Sequence, residues 1–395
     1  MPDLTIPKGY LFSVTEAAIK KPGRKDMGLI FSEKEAVAAG TFTTNRVKAA
    51  PVRLDMKRIR SGKGQAIVMN SGNANTCTGE QGMSDALEMA GLPAHLLGIN
   101  PSRVYVCSTG VIGNRMPMER IREAMPNLAG NLGKFSLGDI AAAIMTTDTF
   151  PKMNSREITI AGKTVTIAAC AKGAGMIAPR MATMLCFILT DASIEQMALK
   201  AALRNSVGNS FNRITIDGDM STNDTALIFA NGLAGNQRIT AGSRNYRIFQ
   251  ESLHHITYQL AEMIVRDGEG AKKLIEIEVL SARSEKDAEK AAKAVANSLL
   301  VKTALYGNDA NWGRIMAALG YSGVVIQEDK IDISFDGLKI VEKGLSTGKD
   351  KEANELLKKN HIRLAIDLHA GKSGVKVLTC DLSEDYIKIN AEYRT

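Results

Sequence analysis

Apolar runs of strand length alternate with helix signals along the whole chain, and no Pro/Gly/Ser-rich linker interrupts them. That alternation restricts the fold to mixed α/β or α+β layering, with sheets covered by helices. Strand-like runs fall at 65–69, 104–107, 164–170, 184–189, 214–216, 226–230, 274–280, 331–335, 363–368, 376–380 and 386–390. Helix signals lie between them. Ser136 with Asp139 forms a capping box ahead of 140–145, and Ser193 with Gln196 opens a helix towards Val207. Residues 247–265 are long and amphipathic, stopped by Asp267-Gly268. Two more helices are expected at 285–298 and 311–319. There is no internal repeat, and no composition shift marks a domain boundary.

Composition narrows the classes. The length of 395 residues fits two or three domains, and 45% hydrophobic residues supply a sizeable core. The formal charge of +8 is scattered rather than gathered into a stripe, which suits anionic substrates such as carboxylates and argues against nucleic acid. The five cysteines (Cys77, Cys107, Cys170, Cys186 and Cys380) form no CxxC pair, so neither a disulfide framework nor a zinc site is expected. Cys107, Cys170 and Cys186 lie in apolar runs and read as small core residues. The first residues, MPDLTIPKGYLFS, lack a signal-peptide layout, and no stretch reaches the length of a membrane span, so a cytoplasmic protein is expected.

None of the five histidines lies in an HExxH or GxSxG setting, and neither a Walker loop nor GxGxxG occurs. Any catalysis must therefore proceed without a histidine triad. The segment from Lys172 to Thr183, KGAGMIAPRMAT, followed by MLCFILTD, is the most unusual in the chain. It reads as a strand, a Gly/Pro loop and a second strand opening with Thr183. Ala182 leaves its carbonyl sterically open, and Gly173 and Gly175 permit strained dihedrals. Attack of Thr183 Oγ on the Ala182 carbonyl gives an ester that water hydrolyses. The released Thr183 amine, with a reference pKa of roughly 7.7–8.0, can then serve as base for its own hydroxyl. On spacing alone the same segment also reads as an ordinary strand connection. The acidic residues Asp217, Asp219, Asp224 and Asp267 lack EF-hand spacing and are not read as a metal site.

KGAGMIAPRMATML resembles the self-processing motif of the ornithine acetyltransferase family, also called bifunctional glutamate N-acetyltransferase. Further stretches similar to that family are NRVKAAPV, NSGNANTCTG, STGVIG, TTDTFPK, SFNRITIDGDMSTNDT, DGEGAKK, YGNDANWGRI and the terminal NAEYRT. They occur in one order over nearly the whole chain. Ala174 and Arg180 stand where Ser and Asn are common in the family.

The resemblance implies an enzyme of arginine biosynthesis that passes acetyl from N2-acetyl-L-ornithine to L-glutamate through an acetyl-Thr183 intermediate. It implies cleavage between Ala182 and Thr183 into an α chain (1–182) and a β chain (183–395), a layered α/β/β/α sandwich, and an α2β2 heterotetramer. Thr109 and Gly110 match the oxyanion hole. Thr149, Lys172, Thr183, Glu269, Asn390 and Thr395 match substrate contacts, with Thr146 and Thr147 as alternatives to Thr149. The strand-like run 386–390 would anchor the tail that carries Asn390. No bound cofactor or metal is implied, and acetyl-CoA is the candidate second acetyl donor. Two other readings remain open: a self-processed aminopeptidase or amidase that passes its acyl group to water, and an uncut, non-enzymatic binding protein.

Overall fold

The structure, a computed structural model, describes residues 4–178 and 184–392, which fall into two compact units. The first comprises residues 4–173, 184–212 and 220–264, and the second comprises residues 174–178, 213–219 and 265–392.

The first unit is built on an 8-stranded mixed sheet. Its strands are β1 (Tyr10–Thr15), β2 (Met27–Phe42), β3 (Lys63–Asn73), β4 (Val104–Val111), β5 (Lys152–Ile160), β6 (Lys163–Lys172), β7 (Leu185–Thr190) and β8 (Thr225–Ala230). The order is β4-β3-β2-β8-β7-β6-β5, with β1 paired to β2. The pairs β3–β4 and β7–β8 are parallel, and the others are antiparallel. The helices are α1 (Ala50–Arg58), α2 (Gly79–Leu97), α3 (Met118–Gly130), α4 (Leu137–Ala143), α5 (Gln196–Gly208) and α6 (Arg244–Arg266).

Period-two alternation divides side chains between two cores. Ala66 and Val68 of β3 and Val104 and Val106 of β4 pack with α1, α2 and α3. Their neighbours Ile67, Met69, Tyr105 and Cys107 join α4 and residues of β6, β7 and β8 in the other core. Every residue of β7 and β8 is buried, as their unbroken apolar sequences require. The expected mixed α/β class therefore holds. The capping box of Ser136 and Asp139 is formed at the start of α4. At α5 the expected helix is present, but Glu195 occupies the cap and Ser193 instead bonds to Asn236 Oδ1, 2.8 Å from its amide.

The second unit carries a 6-stranded mixed sheet in the order β12-β11-β10-β13-β9-β14. These strands are β9 (Leu274–Ala282), β10 (Asp332–Phe335), β11 (Leu338–Glu342), β12 (Leu345–Ser346), β13 (His361–Asp367) and β14 (Ser373–Cys380). Helices α7 (Glu285–Asn297), α8 (Leu299–Tyr306), α9 (Trp312–Gly320), α10 (Asp350–Leu356) and α11 (Glu384–Ala391) complete it. Ala288, Ala291, Ala292, Val295 and Ala296 of α7 recur at helical spacing and bury one small-residue face in this unit's core.

Two strand expectations are corrected. Residues 214–216 form only a single bridge, Ile214 to Leu378, rather than a strand. Residues 386–390 lie in helix α11, not in a strand. Their alternating apolar pattern is overridden locally. Glu384 and Asp385 occupy the first turn, where the helix dipole favours acids, and Lys388 lies 3.4 Å from Asp385. No helix among the described residues is long and apolar enough to cross a membrane.

Candidate active site

Strand β6 ends at Lys172, directly opposite Leu185 at the start of β7. Lys172 is buried, and its ammonium donates to Thr146 Oγ1 at 2.7 Å. It lies 3.8 Å from Asp148, whose side chain is fully buried. Asp148 also binds Lys152 Nζ at 2.7 Å and accepts from the amides of Gly173 (2.7 Å) and Thr146 (3.0 Å). Burial alone would raise the Asp148 carboxyl. The ammoniums of Lys172 and Lys152 overcome that effect and hold it at about 2. The result is an anionic clamp with a lysine fixed at a strand end, which suits the holding of a substrate carboxylate.

On the opposite side of the same sheet, β4 carries Thr109 and Gly110, in register with Ser71 and Gly72 of β3. The Thr109 side chain is nearly buried and makes no hydrogen bond among the described residues, so its hydroxyl remains a donor to spare. Gly110 has φ +135, and a Cβ there would lie 2.2 Å from the carbonyl carbon of Gly72. Only glycine fits. A spare hydroxyl beside a glycine amide is the equipment an oxyanion hole uses.

The second unit holds Glu269 and Asn390. Glu269 follows α6 in a turn closed by Gly270 at φ +72, and its amide donates to the Ala174 carbonyl at 2.8 Å. Asn390 of α11 donates from Nδ2 to Glu269 Oε2 at 2.8 Å. A Cβ on Gly175 would stand 2.3 Å from the Glu269 carboxyl, so that glycine makes room for the acid. Nearby, Asp217 accepts from the amides of Met176 (2.5 Å) and Ile177 (2.9 Å), and Tyr386 reaches it through its hydroxyl at 3.4 Å. Burial raises the Asp217 carboxyl, and burial together with the neighbouring Asp217 and Glu269 raises the Tyr386 phenol.

The structure thus brings Lys172 together with Thr146, and Glu269 together with Asn390. Thr149 is exposed. Ala182, Thr183 and Thr395 lie outside the described residues. Sequence reasoning assigned no role to Asp148, although the i,i+4 spacing to Lys152 was a readable signal. It gave no role to Asn223, and considered Asp224 only in setting aside a metal site; the partners of both are remote in sequence.

A mixed α/β chain with a clamped lysine, a spare strand-end hydroxyl and a carboxylate bonded to an amide side chain has the parts of an acyl-transfer enzyme. Residues 11–395 match the model of the ArgJ family. The chain is 54% identical to the arginine biosynthesis bifunctional protein ArgJ of Geobacter sulfurreducens, over 98% of this chain and 99% of that one. It is 49% identical to the protein of the same name from Caldanaerobacter subterraneus, over 99% and 98% of the two chains. The crystal structure of arginine biosynthesis bifunctional protein ArgJ from Bacillus halodurans matches with 42% identity and a TM-score of 0.51, covering 52% of this chain and 98% of that chain. The chain belongs to the ArgJ family. It is an acetyltransferase of arginine biosynthesis, as its sequence motifs lead one to expect.

Proposed function

We propose that this chain cuts itself between Ala182 and Thr183 and then carries acetyl from N2-acetyl-L-ornithine to L-glutamate on Thr183. In the first reaction Thr183 Oγ attacks the Ala182 carbonyl, the amide becomes an ester, and water hydrolyses that ester. The products are an Ala182 carboxylate and a Thr183 bearing a free amine and hydroxyl. In the second reaction the amine takes the hydroxyl proton as Oγ attacks the acetyl carbonyl. The oxyanion is received by the Thr109 hydroxyl and the Gly110 amide. The C–N bond breaks, and the Thr183 ammonium returns the proton to the departing ornithine. The amine of glutamate then attacks the acetyl ester, releasing N-acetylglutamate and regenerating the hydroxyl.

Lys172 holds a substrate carboxylate, and Glu269, with Asn390, meets the ammonium of ornithine. Thr395 and one threonine of Thr146, Thr147 and Thr149 complete the substrate contacts, and the bond of Thr146 to Lys172 favours Thr146. The observation that carries this reading is the register of Lys172 opposite Leu185. It sets Lys172 across from Leu185, two residues after Thr183 in the chain, which supports a role for that lysine beside the nucleophile. The antiparallel pairing of β6 with β7 also holds both sides of the cut without covalent continuity. The matching Bacillus halodurans chain, about half as long as this one, is in keeping with a separated fragment.

The finer features belong to the same proposal: fragments 1–182 and 183–395 associated as α2β2, a cytoplasmic setting, no bound cofactor, and acetyl-CoA as second acetyl donor. The word bifunctional in the relatives' names supports the last of these. Denaturing intact-mass measurement beside Thr183→Ala tests the core claim. Two fragments from the parent and one full-length species from the variant are expected, and an uncut parent would sink the mechanism. Incubation with acetylornithine, with and without glutamate, separates transfer from hydrolysis: free acetate in place of N-acetylglutamate would mean an amidase. Acetyl-CoA with glutamate alone tests the second donor.

A further inference from the structure

The segment Ser221-Thr-Asn-Asp-Thr225 immediately precedes and opens β8. In the sheet, β4 and β7 are separated by β3, β2 and β8, so the Thr109–Gly110 end and the start of β7 are not strand neighbours. Asn223 and Asp224 nevertheless reach both. Asn223 Nδ2 donates to the Ser108 carbonyl at 2.8 Å and to the Ala74 carbonyl at 2.7 Å. Its Oδ1 accepts from Thr76 Oγ1 at 2.8 Å and Thr222 Oγ1 at 2.6 Å, so the amide is fully engaged and its orientation fixed. Asp224 Oδ1 accepts from the Met184 amide at 3.1 Å. That amide belongs to the peptide joining Thr183 to Met184. Thr225 donates back to the Met184 carbonyl at 3.0 Å, and the Asp224 carbonyl accepts from the Thr43 amide, also at 3.0 Å. Asn223 and Asp224 are both buried.

We infer that Asn223 and Asp224 form a bracket that sets the separation between the oxyanion pair and Met184, the residue that follows the nucleophile Thr183 in the chain. They are positioning residues for both self-cleavage and acetyl transfer. The inference rests on the Thr183 reading above. Two adjacent residues tie Ser108, next to Thr109, and Met184, next to Thr183, to one short segment. Strand pairing would otherwise transmit that spacing through three intervening strands, each with its own twist. The chemistry is sensitive to such spacing, since a misplacement of about 1 Å costs on the order of 10²-fold in rate.

The test uses the full chain and three variants. Asn223→Asp keeps the shape but replaces a donor by an acceptor facing two carbonyls. Asp224→Ala removes the acceptor for the Met184 amide, while Asp224→Asn keeps it. Asn223→Asp and Asp224→Ala are expected to slow self-cleavage and lower kcat by about 10²-fold, with KM for acetylornithine unchanged. Asp224→Asn should restore both to near the parent. Thr76→Val, which frees one bond on Asn223 Oδ1, is the milder variant if Asn223→Asp does not fold, and should lower kcat alone. Parent-like cleavage and kcat in Asn223→Asp and Asp224→Ala would overturn the bracket. So would a loss confined to KM, or an Asp224→Asn as impaired as Asp224→Ala. A parent that neither cuts nor transfers acetyl would instead overturn the Thr183 reading, so the two failures are distinguishable.

Discussion

Lys172 stands 3.8 Å from Asp148, and neither side chain is open to solvent. A charge pair in that position stabilises only while both partners remain. Asp148 also pairs with Lys152 at 2.7 Å, so its loss takes a counter-charge from two buried ammoniums at once. Asp148→Asn is expected to cost about 3–5 kcal/mol of stability. It should also raise KM for acetylornithine by about tenfold, as Lys172 loses its anchor. Urea unfolding and steady-state kinetics check the two effects. A variant with parent stability would show that the lysines find other partners.

The same carboxyl makes stability depend on acid. Asp148 titrates at about 2 in the folded chain, against an ordinary value of 3.8. A depressed carboxyl stabilises above its unfolded pKa, and that stabilisation is lost as the pH falls through the folded pKa. The contribution is about 2 kcal/mol, present at pH 5 and fading between about pH 4 and 2. The stability gap between the parent and Asp148→Asn should therefore narrow over that interval. Unfolding midpoints at several acid pH values test this, and a constant gap would contradict it.

Glu269 and Asn390 lie 2.8 Å apart, and only one substrate brings a side-chain ammonium for the acid. Glu269→Gln should raise KM for acetylornithine by about 10- to 100-fold, the range of a lost charge-assisted hydrogen bond. Glutamate, which carries a carboxylate in place of the side-chain ammonium, should lose no affinity. Ping-pong analysis resolves the two half-reactions. Equal losses for both substrates would remove the pairing assigned to Glu269.

Much of this was legible in the amino-acid order. The runs around Val106 and Ile167 read as strands because unbroken apolar residues face cover on both sides. Strand β2 was not recognised. Its exposed Glu33, Lys34 and Glu35 fall where the pairing with β3 shifts register, which breaks the alternation. Helix α2 was hidden by Pro93 and its internal glycines. Tyr386–Asn390 misled because period-two apolarity does not reveal a favourable acidic first turn. At the site, the Gly-rich segment and its threonine are contiguous and therefore visible. The bond from Asn223 to Ser108 spans 115 residues, and no local pattern encodes it.

Gly110 offers the sharpest test of the oxyanion end. Its φ of +135 is already one that side chains rarely adopt, and a Cβ would meet the carbonyl carbon of Gly72 at 2.2 Å and the Asn73 nitrogen at 2.4 Å. Both are backbone atoms at the end of β3, so neither yields as a flexible side chain would. Gly110→Ala must push the ends of β3 and β4 apart, moving the Gly110 amide and Thr109 together. The expected result is a loss of about 10²–10³-fold in kcat, the usual effect of losing one oxyanion donor, with KM for acetylornithine little changed. Thr109→Val, which leaves the backbone alone, should give a loss of the same order. If Gly110→Ala cripples the enzyme while Thr109→Val leaves kcat intact, the hydroxyl is not part of the hole and the amide acts without it.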